Sequence, residues 1–378
     1  MGGPVSALAM ITRGLARRGH QVVVYHVAIL GDGEQAEFDP AVKVVSAPGR
    51  KCFGYRTSPD LFRLIEQDAA KFHLVHSHSL WTGINREAAR LSRARSLPHV
   101  ISTHGTLAAR ALRHRGWKKL PIGLWFQHRA LRAATCLHAT APKELAAIRA
   151  FGLRTPVAIV PMPVEILPLP VEQDRAGLLR SLGLDEDRKS VLFLGRLHPV
   201  KGLERLVRVW ARTSRSHPDW RLVLAGPDED GFRARLERLI AVAGLGNSVR
   251  LVGPVNAVQK AALFANARLL VMPSDSESFG MAIAEAMAHG LPVLTTTGTP
   301  WSNLPGANAG WWVAPTEEAL AATLSEALAL PDVTLRAMGA RGATLARSYS
   351  LEIVCARFEE LYRWVLGEGA LPEFVSLA

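Results

Sequence analysis

The chain alternates short apolar runs with amphipathic helical stretches along most of its length, and that alternation restricts the fold more than any other feature. In the second half the expected strands are 191–194, 221–225, 249–252, 268–272 and 292–295, with helices at 202–213, 231–243, 256–264 and 280–289. In the first of these helices Leu203, Leu206, Val207 and Trp210 recur at i, i+3, i+4 and i+7, one face of a helical period. The first half reads the same way. A helix from Pro4 to Arg18, with Pro in its first turn and Gly19 as its stop, precedes strands at 21–28, 42–46, 74–77, 100–103, 135–139 and 157–160. Strands separated by helices imply parallel βαβ units and doubly wound α/β sheets. A chain of 378 residues has room for two such cores, and Pro161, Pro163 and Pro168 mark a hinge between them. The expected divisions are 1–165, 166–350 and a closing segment 351–378.

Two strand-to-helix turns carry candidate chemistry. After the strand 268–272 comes a loop holding Glu277, then Phe279-Gly280, then a helix holding Glu285. Ligands of open α/β sheets bind at this edge, and carboxylates there accept hydrogen bonds from sugar and ribose hydroxyls. Taken alone, the pair reads equally well as one solvated glutamate and one on a helix surface. After the strand 191–194, Gly195 opens a basic loop with Arg196 and Lys201, and a helix follows. Two cations beside a helix N-terminus suit a diphosphate: the helix end offers free N–H groups, Arg a bidentate fork, Lys a point charge.

The motifs Gly2-Gly3-Pro4, Thr103-His104-Gly105, Gly195-Arg-Leu-His-Pro-Val-Lys-Gly202, Leu224-Ala-Gly-Pro227, Val249-Arg-Leu-Val-Gly253 and the Glu277/Glu285 pair occur in the order found in family 4 retaining glycosyltransferases, which the chain resembles from residue 2 to about 293. The resemblance implies the GT-B fold, two Rossmann-like domains facing a cleft, with an N-terminal acceptor domain and a C-terminal nucleotide-sugar domain. The last helix, 351–366, would cross back to the first domain. It implies transfer of a hexose, with retention, from a UDP-, GDP- or ADP-sugar to a lipid-linked or polysaccharide acceptor, without metal or other cofactor. On the same basis Arg196 and Lys201 hold the diphosphate, Glu285 the ribose, and Glu277 with Phe279 and Gly280 the sugar. His104 contacts the sugar, Gly2 and Gly3 approach the donor or acceptor, and backbone near Gly253 and Val255 carries the base. Two departures stand out. Relatives begin with a strand before the Gly-Gly loop, so the first sheet is expected to lack its first strand, with an upstream start as the favoured explanation. Relatives also show Pro-Asn-Gly where this chain has Met162-Pro163.

Charge is uneven. Residues 1–165 hold 23 Lys and Arg against 10 Asp and Glu, while the remainder is close to neutral. Within the basic half, Arg110, Arg113, Arg115, Lys118 and Lys119 interleave with Trp117, Trp125 and Phe126. That pattern fits docking on an anionic membrane surface, or a solvated helix with core aromatics. No helix-turn-helix, zinc-finger or RNA-module signature accompanies it, so nucleic acid is not expected. Cys52, Cys136 and Cys355 form no framework, which points to a reducing, cytoplasmic setting, with peripheral attachment at the inner membrane face. His76, His78 and His104 have no fourth ligand at metal spacing, and Asp228-Glu-Asp230 reads as the acidic start of a helix. Other functions compatible with this sequence are a non-catalytic partner subunit of the same fold, an epimerase or a phosphorylase.

Overall fold

The computed structural model describes residues 3–28, 37–52, 55–113, 116–185 and 187–377. The chain divides into two units, one of Met1–Pro163 with Leu351–Ala378 and one of Val164–Ser350.

The first-unit strands are β1 (Val23–Ala28), β2 (Lys43–Pro48), β3 (Arg50–Cys52), β4 (Tyr55–Thr57), β5 (Val75–His78), β6 (His99–Ser102), β7 (Cys136–Ala139) and β8 (Val157–Ile159). The second-unit strands are β9 (Lys189–Leu194), β10 (Trp220–Ala225), β11 (Val249–Gly253), β12 (Ala267–Met272), β13 (Val293–Thr296) and β14 (Gly310–Val313). Their order is β11-β10-β9-β12-β13-β14, every pairing parallel. This is the Rossmann order: the winding reverses between β9 and β12, which opens a crevice beyond their C-terminal ends. Strands covered on both faces must be apolar throughout, and β10 is buried at all six positions. Leu203, Leu206, Val207 and Trp210 are buried on the helix Leu203–Thr213, as their spacing requires.

The first unit is Rossmann-like but its sheet is split. β5 to β8 run parallel in the order β8-β7-β6-β5, with the terminal strand Val375–Ser376 antiparallel on β8. β1 and β2 form a separate parallel pair. Among the described residues no strand precedes the helix Gly3–Arg17, and neither β1 nor β5 has a strand on its second edge. The consequence is visible in burial: β6 and β7 are wholly buried, whereas all six positions of β1 are only half-buried. The two pieces are joined by helices. Leu61 and Ile65 of the helix Pro59–Asp68 and Leu91 of Gly83–Arg95 pack against Tyr25, Val27 and Val75.

The helix Leu351–Val365 belongs to the first unit. It lies along Gly3–Arg17, where a Cβ on Gly14 would collide with the Cys355 sulfur. Glu359 accepts from Arg18 Nε at 2.6 Å and contacts His20 Nε2 at 2.7 Å. Its Tyr362 reaches a buried chain of polar groups. His138 Nε2 lies 2.7 Å from the Val160 carbonyl, which can only accept, so the proton sits on Nε2. His138 Nδ1 then accepts from the Ser102 hydroxyl (2.6 Å), Ser102 Oγ accepts from His76 Nε2–H (2.7 Å), and His76 Nδ1 accepts from Tyr362 (2.7 Å). Each proton has one place, and both imidazoles are neutral.

Candidate active site

The site is built from the two loops at the switch point. The loop after β9 runs from Gly195 to a 3-10 turn, Pro199–Lys201, and ends at Gly202, which adopts φ 68° before the helix Leu203–Thr213. A side chain at Gly202 would both strain that left-handed backbone and strike the carbonyl of Pro273, on the loop after β12. Gly202→Ala should therefore cost roughly 2 kcal/mol in urea unfolding, against a few tenths for an open surface glycine.

The two loops are stitched together. Asp275 N–H donates to the Val200 carbonyl at 2.9 Å, and Arg205 reaches both the Pro273 carbonyl and the Asp275 carboxylate at 2.7 Å. Across this seam Lys201 Nζ stands 2.5 Å from Glu277 Oε1, with side chains only 14% and 12% exposed. Glu277 also accepts from Ser274 Oγ at 2.7 Å. The structure thus places the expected phosphate-binding lysine and the expected sugar-binding glutamate in one partly desolvated ion pair. Arg196 behaves differently: 49% exposed, it pairs with Glu229. Glu229 lies in the Asp228–Asp230 stretch expected to start a helix. Asp228 does serve the helix start, accepting from Arg233 N–H at 2.8 Å although Gly231 is the cap residue, but Glu229 instead holds a candidate catalytic cation.

Phe279 is buried against Trp301 and Tyr349, and its carbonyl accepts from Trp301 Nε1 at 2.6 Å. Gly280 takes φ 87° and caps the helix Met281–Ala288. Glu285, on that helix, pairs with Lys260 at 2.8 Å, a partner that sequence spacing did not disclose. Gly253 ends β11, two strands from β9, and Val255 follows half-buried in the next loop.

The remaining candidates lie in the first unit. Gly2 lies outside the described residues, and Gly3 is the first residue of the helix Gly3–Arg17. His104 follows β6 with φ 47°, while Ser79 and Trp81 follow the neighbouring β5 with φ 63° and 70°. Three non-glycine residues in the left-handed region at adjacent strand ends mark a strained edge, the kind of place where function resides. One buried carboxylate holds it: Glu144 accepts from Thr103 Oγ1, the Gly105 N–H, and the N–H and hydroxyl of Thr140. Sequence reading missed Glu144, although Thr140-Ala-Pro-Lys-Glu144 carries the pattern of a helix start whose Glu reaches back to a preceding residue. His104 Nε2 lies 3.0 Å from His78 Nδ1, and its Nδ1 is buried with no partner among the described residues. Burial pushes the His104 imidazole down to about 4. His76 and His78 stack in the same cluster, and no group of three or more metal-ligating side chains assembles among the described residues.

Residues 174–344 match the family model "Glycosyl transferases group 1", and residues 2–163 match "Glycosyl transferase 4-like domain". Between them the two models span nearly the whole chain.

The chain belongs to the GT-B glycosyltransferases.

Among relatives, the D-inositol 3-phosphate glycosyltransferase of Segniliparus rotundus is 32% identical over 52% of this chain and 45% of its own length, so the match spans less than half of that protein. Among solved structures, the sucrose-phosphate synthase of Thermosynechococcus elongatus superposes with TM-score 0.75 at 22% identity, covering 97% of this chain and 94% of the other. An Anabaena protein in complex with UDP and glucose gives TM-score 0.76 at 19% identity over 95% of each chain. At these identities the likeness establishes the shared GT-B glycosyltransferase fold.

Proposed function

We propose that this chain transfers a hexose from a nucleotide-diphosphate sugar, with the diphosphate at the β9/β12 switch point. The observation that carries the reading is the Lys201–Glu277 pair, a cation and a hydroxyl-binding carboxylate fixed side by side beneath a helix start. As the anomeric C–O bond breaks, its electron pair moves to the diphosphate oxygen, and Lys201 and Arg196 stabilise the charge that grows there. Arg196 is free to do so because an exposed pair such as that with Glu229 contributes only about 0–1 kcal/mol. Glu277 orients the hexose hydroxyls, and Glu285 takes the ribose hydroxyls in place of Lys260. The acceptor hydroxyl attacks from the face of the departing diphosphate, which takes its proton, so the anomeric configuration is retained. A UDP donor is supported by the UDP- and glucose-bound Anabaena relative; a lipid-linked or polysaccharide hydroxyl is the proposed acceptor.

The test is release of nucleoside diphosphate from UDP-, GDP- and ADP-sugars. Release from one of them, lost in Lys201→Ala, supports the reading. A second reading, a non-catalytic partner subunit, is favoured by Met162-Pro163 standing where family 4 members carry Pro-Asn-Gly. Binding of a nucleotide without turnover on any of the three donors would favour that reading.

A further inference from the structure

Residues 116–133 form one helical run: Gly116–Ile122, a π-helical turn Gly123–Gln127, and His128–Ala133. Its amphipathicity is inverted. Gln127 is fully buried and its Oε1 accepts from Trp81 N–H at 2.9 Å, while Trp117, Leu120, Leu124 and Trp125 are 70%, 63%, 74% and 57% exposed. The four follow helical spacing, so they share one outward face. Further along that face, at 129 and 132, stand exposed Arg129 and Arg132. Leu124, His128, Arg129, Arg132 and Ala133 line an open depression of about 460 Å³ where the apolar and cationic ends meet. The segment that carries this face is basic: from Ala88 to Lys143 there are eleven Lys and Arg and not one Asp or Glu.

We propose that this face is a docking surface for an anionic lipid bilayer. Exposed tryptophans and leucines insert at the acyl boundary, and arginines pair with lipid phosphates; tryptophan favours this depth because its ring is apolar and its N–H is polar. Charge decides between a bilayer and a protein partner. A segment of eleven basic residues without an acid is matched by a continuous anionic plane, and each basic side chain near it adds to binding. No helix among the described residues is long and apolar enough to cross a membrane.

The experiment is co-sedimentation of the full chain with vesicles of phosphatidylcholine alone and with about 30 mol% phosphatidylglycerol. The wild type should sediment with the mixed vesicles and not the neutral ones, and release as salt rises. Leu120→Ser/Leu124→Ser and Arg129→Glu/Arg132→Glu should each lower the partition coefficient about tenfold or more, with unchanged thermal midpoints. Sedimentation of neither kind, or equal sedimentation of the wild type and both variants, would overturn the proposal. So would a dimer in solution that dissociates in the leucine variant without any vesicle binding, which would make the face a contact between copies. No nucleotide sugar enters the assay, so its outcome is separate from that of the donor-site reading.

Discussion

Lys201→Ala lowers donor turnover by about two to three orders of magnitude, while Arg196→Ala lowers it by about one. Removing a fixed charge that stabilises a developing anion costs roughly 3–4 kcal/mol of barrier. Lys201 qualifies because its ammonium is already in place, anchored by a carboxylate that also accepts from Ser274. Arg196 begins on an exposed partner and must reorganise to reach a phosphate, so less of its charge is in place beforehand. Glu277→Gln is the informative companion. The amide oxygen can still accept from Lys201 and Ser274, so the loops stay stitched while the lysine loses its counter-charge. Its turnover should fall less than that of Lys201→Ala. Initial rates of nucleoside diphosphate release, with unfolding midpoints for each variant, check the series. Equal rates for Lys201→Ala and wild type would remove Lys201 from the mechanism.

Acid destabilises the first unit well before its carboxylates titrate. Burial holds His99 and His104 down to about 4 and lowers His76, His78 and His138 from the ordinary value near 6.5. The unfolded chain regains the ordinary value, so between about pH 6.5 and 4 it binds protons that the folded unit refuses. Stability contributed by these groups is fully present above 6.5 and is lost as pH falls through that window. At pH 5 a group held near 4, as His99 is, has cost about 2 kcal/mol, an appreciable part of an ordinary domain's stability. The wire of Tyr362, His76, Ser102 and His138 gives a structural cause as well, since a second proton on either imidazole turns an acceptor into a donor facing another donor. Urea midpoints at pH 7 and 5 measure the effect. Ser102→Ala, which leaves His138 Nδ1 and His76 Nε2 unpaired, should cost about 1–3 kcal/mol at pH 7. A midpoint that does not move between pH 7 and 5 would contradict the neutral network.

What the sequence showed in advance followed how locally each feature is encoded. The second sheet was legible because each of β9 to β12 is an apolar run followed by a periodic helix. β14 was not, since Gly310-Trp-Trp-Val313 is only four residues long, without periodicity, inside a charge-free stretch. The hairpin of β3 and β4 also escaped, because its six strand residues include three cations and no alternation. The loops carrying Arg196, Lys201 and Glu277, and the helix carrying Glu285, were legible from their position after strands. Their partners were not. Glu229 and Lys260 lie 33 and 25 positions from the groups they bind, and nothing local distinguishes them from solvated side chains. The exposed tryptophans belong to the same class: periodicity groups Trp117 with Leu120 and Leu124, but only packing decides which face turns outward.

The most direct test of the central claim is calorimetric titration of UDP, GDP and ADP into the wild-type chain and Lys201→Ala. One of the three should bind the wild type, and Lys201→Ala should weaken it at least tenfold while its fold is retained. Equal affinity in both proteins, or no binding of any diphosphate to a folded wild type, would contradict a donor site at the β9/β12 switch point.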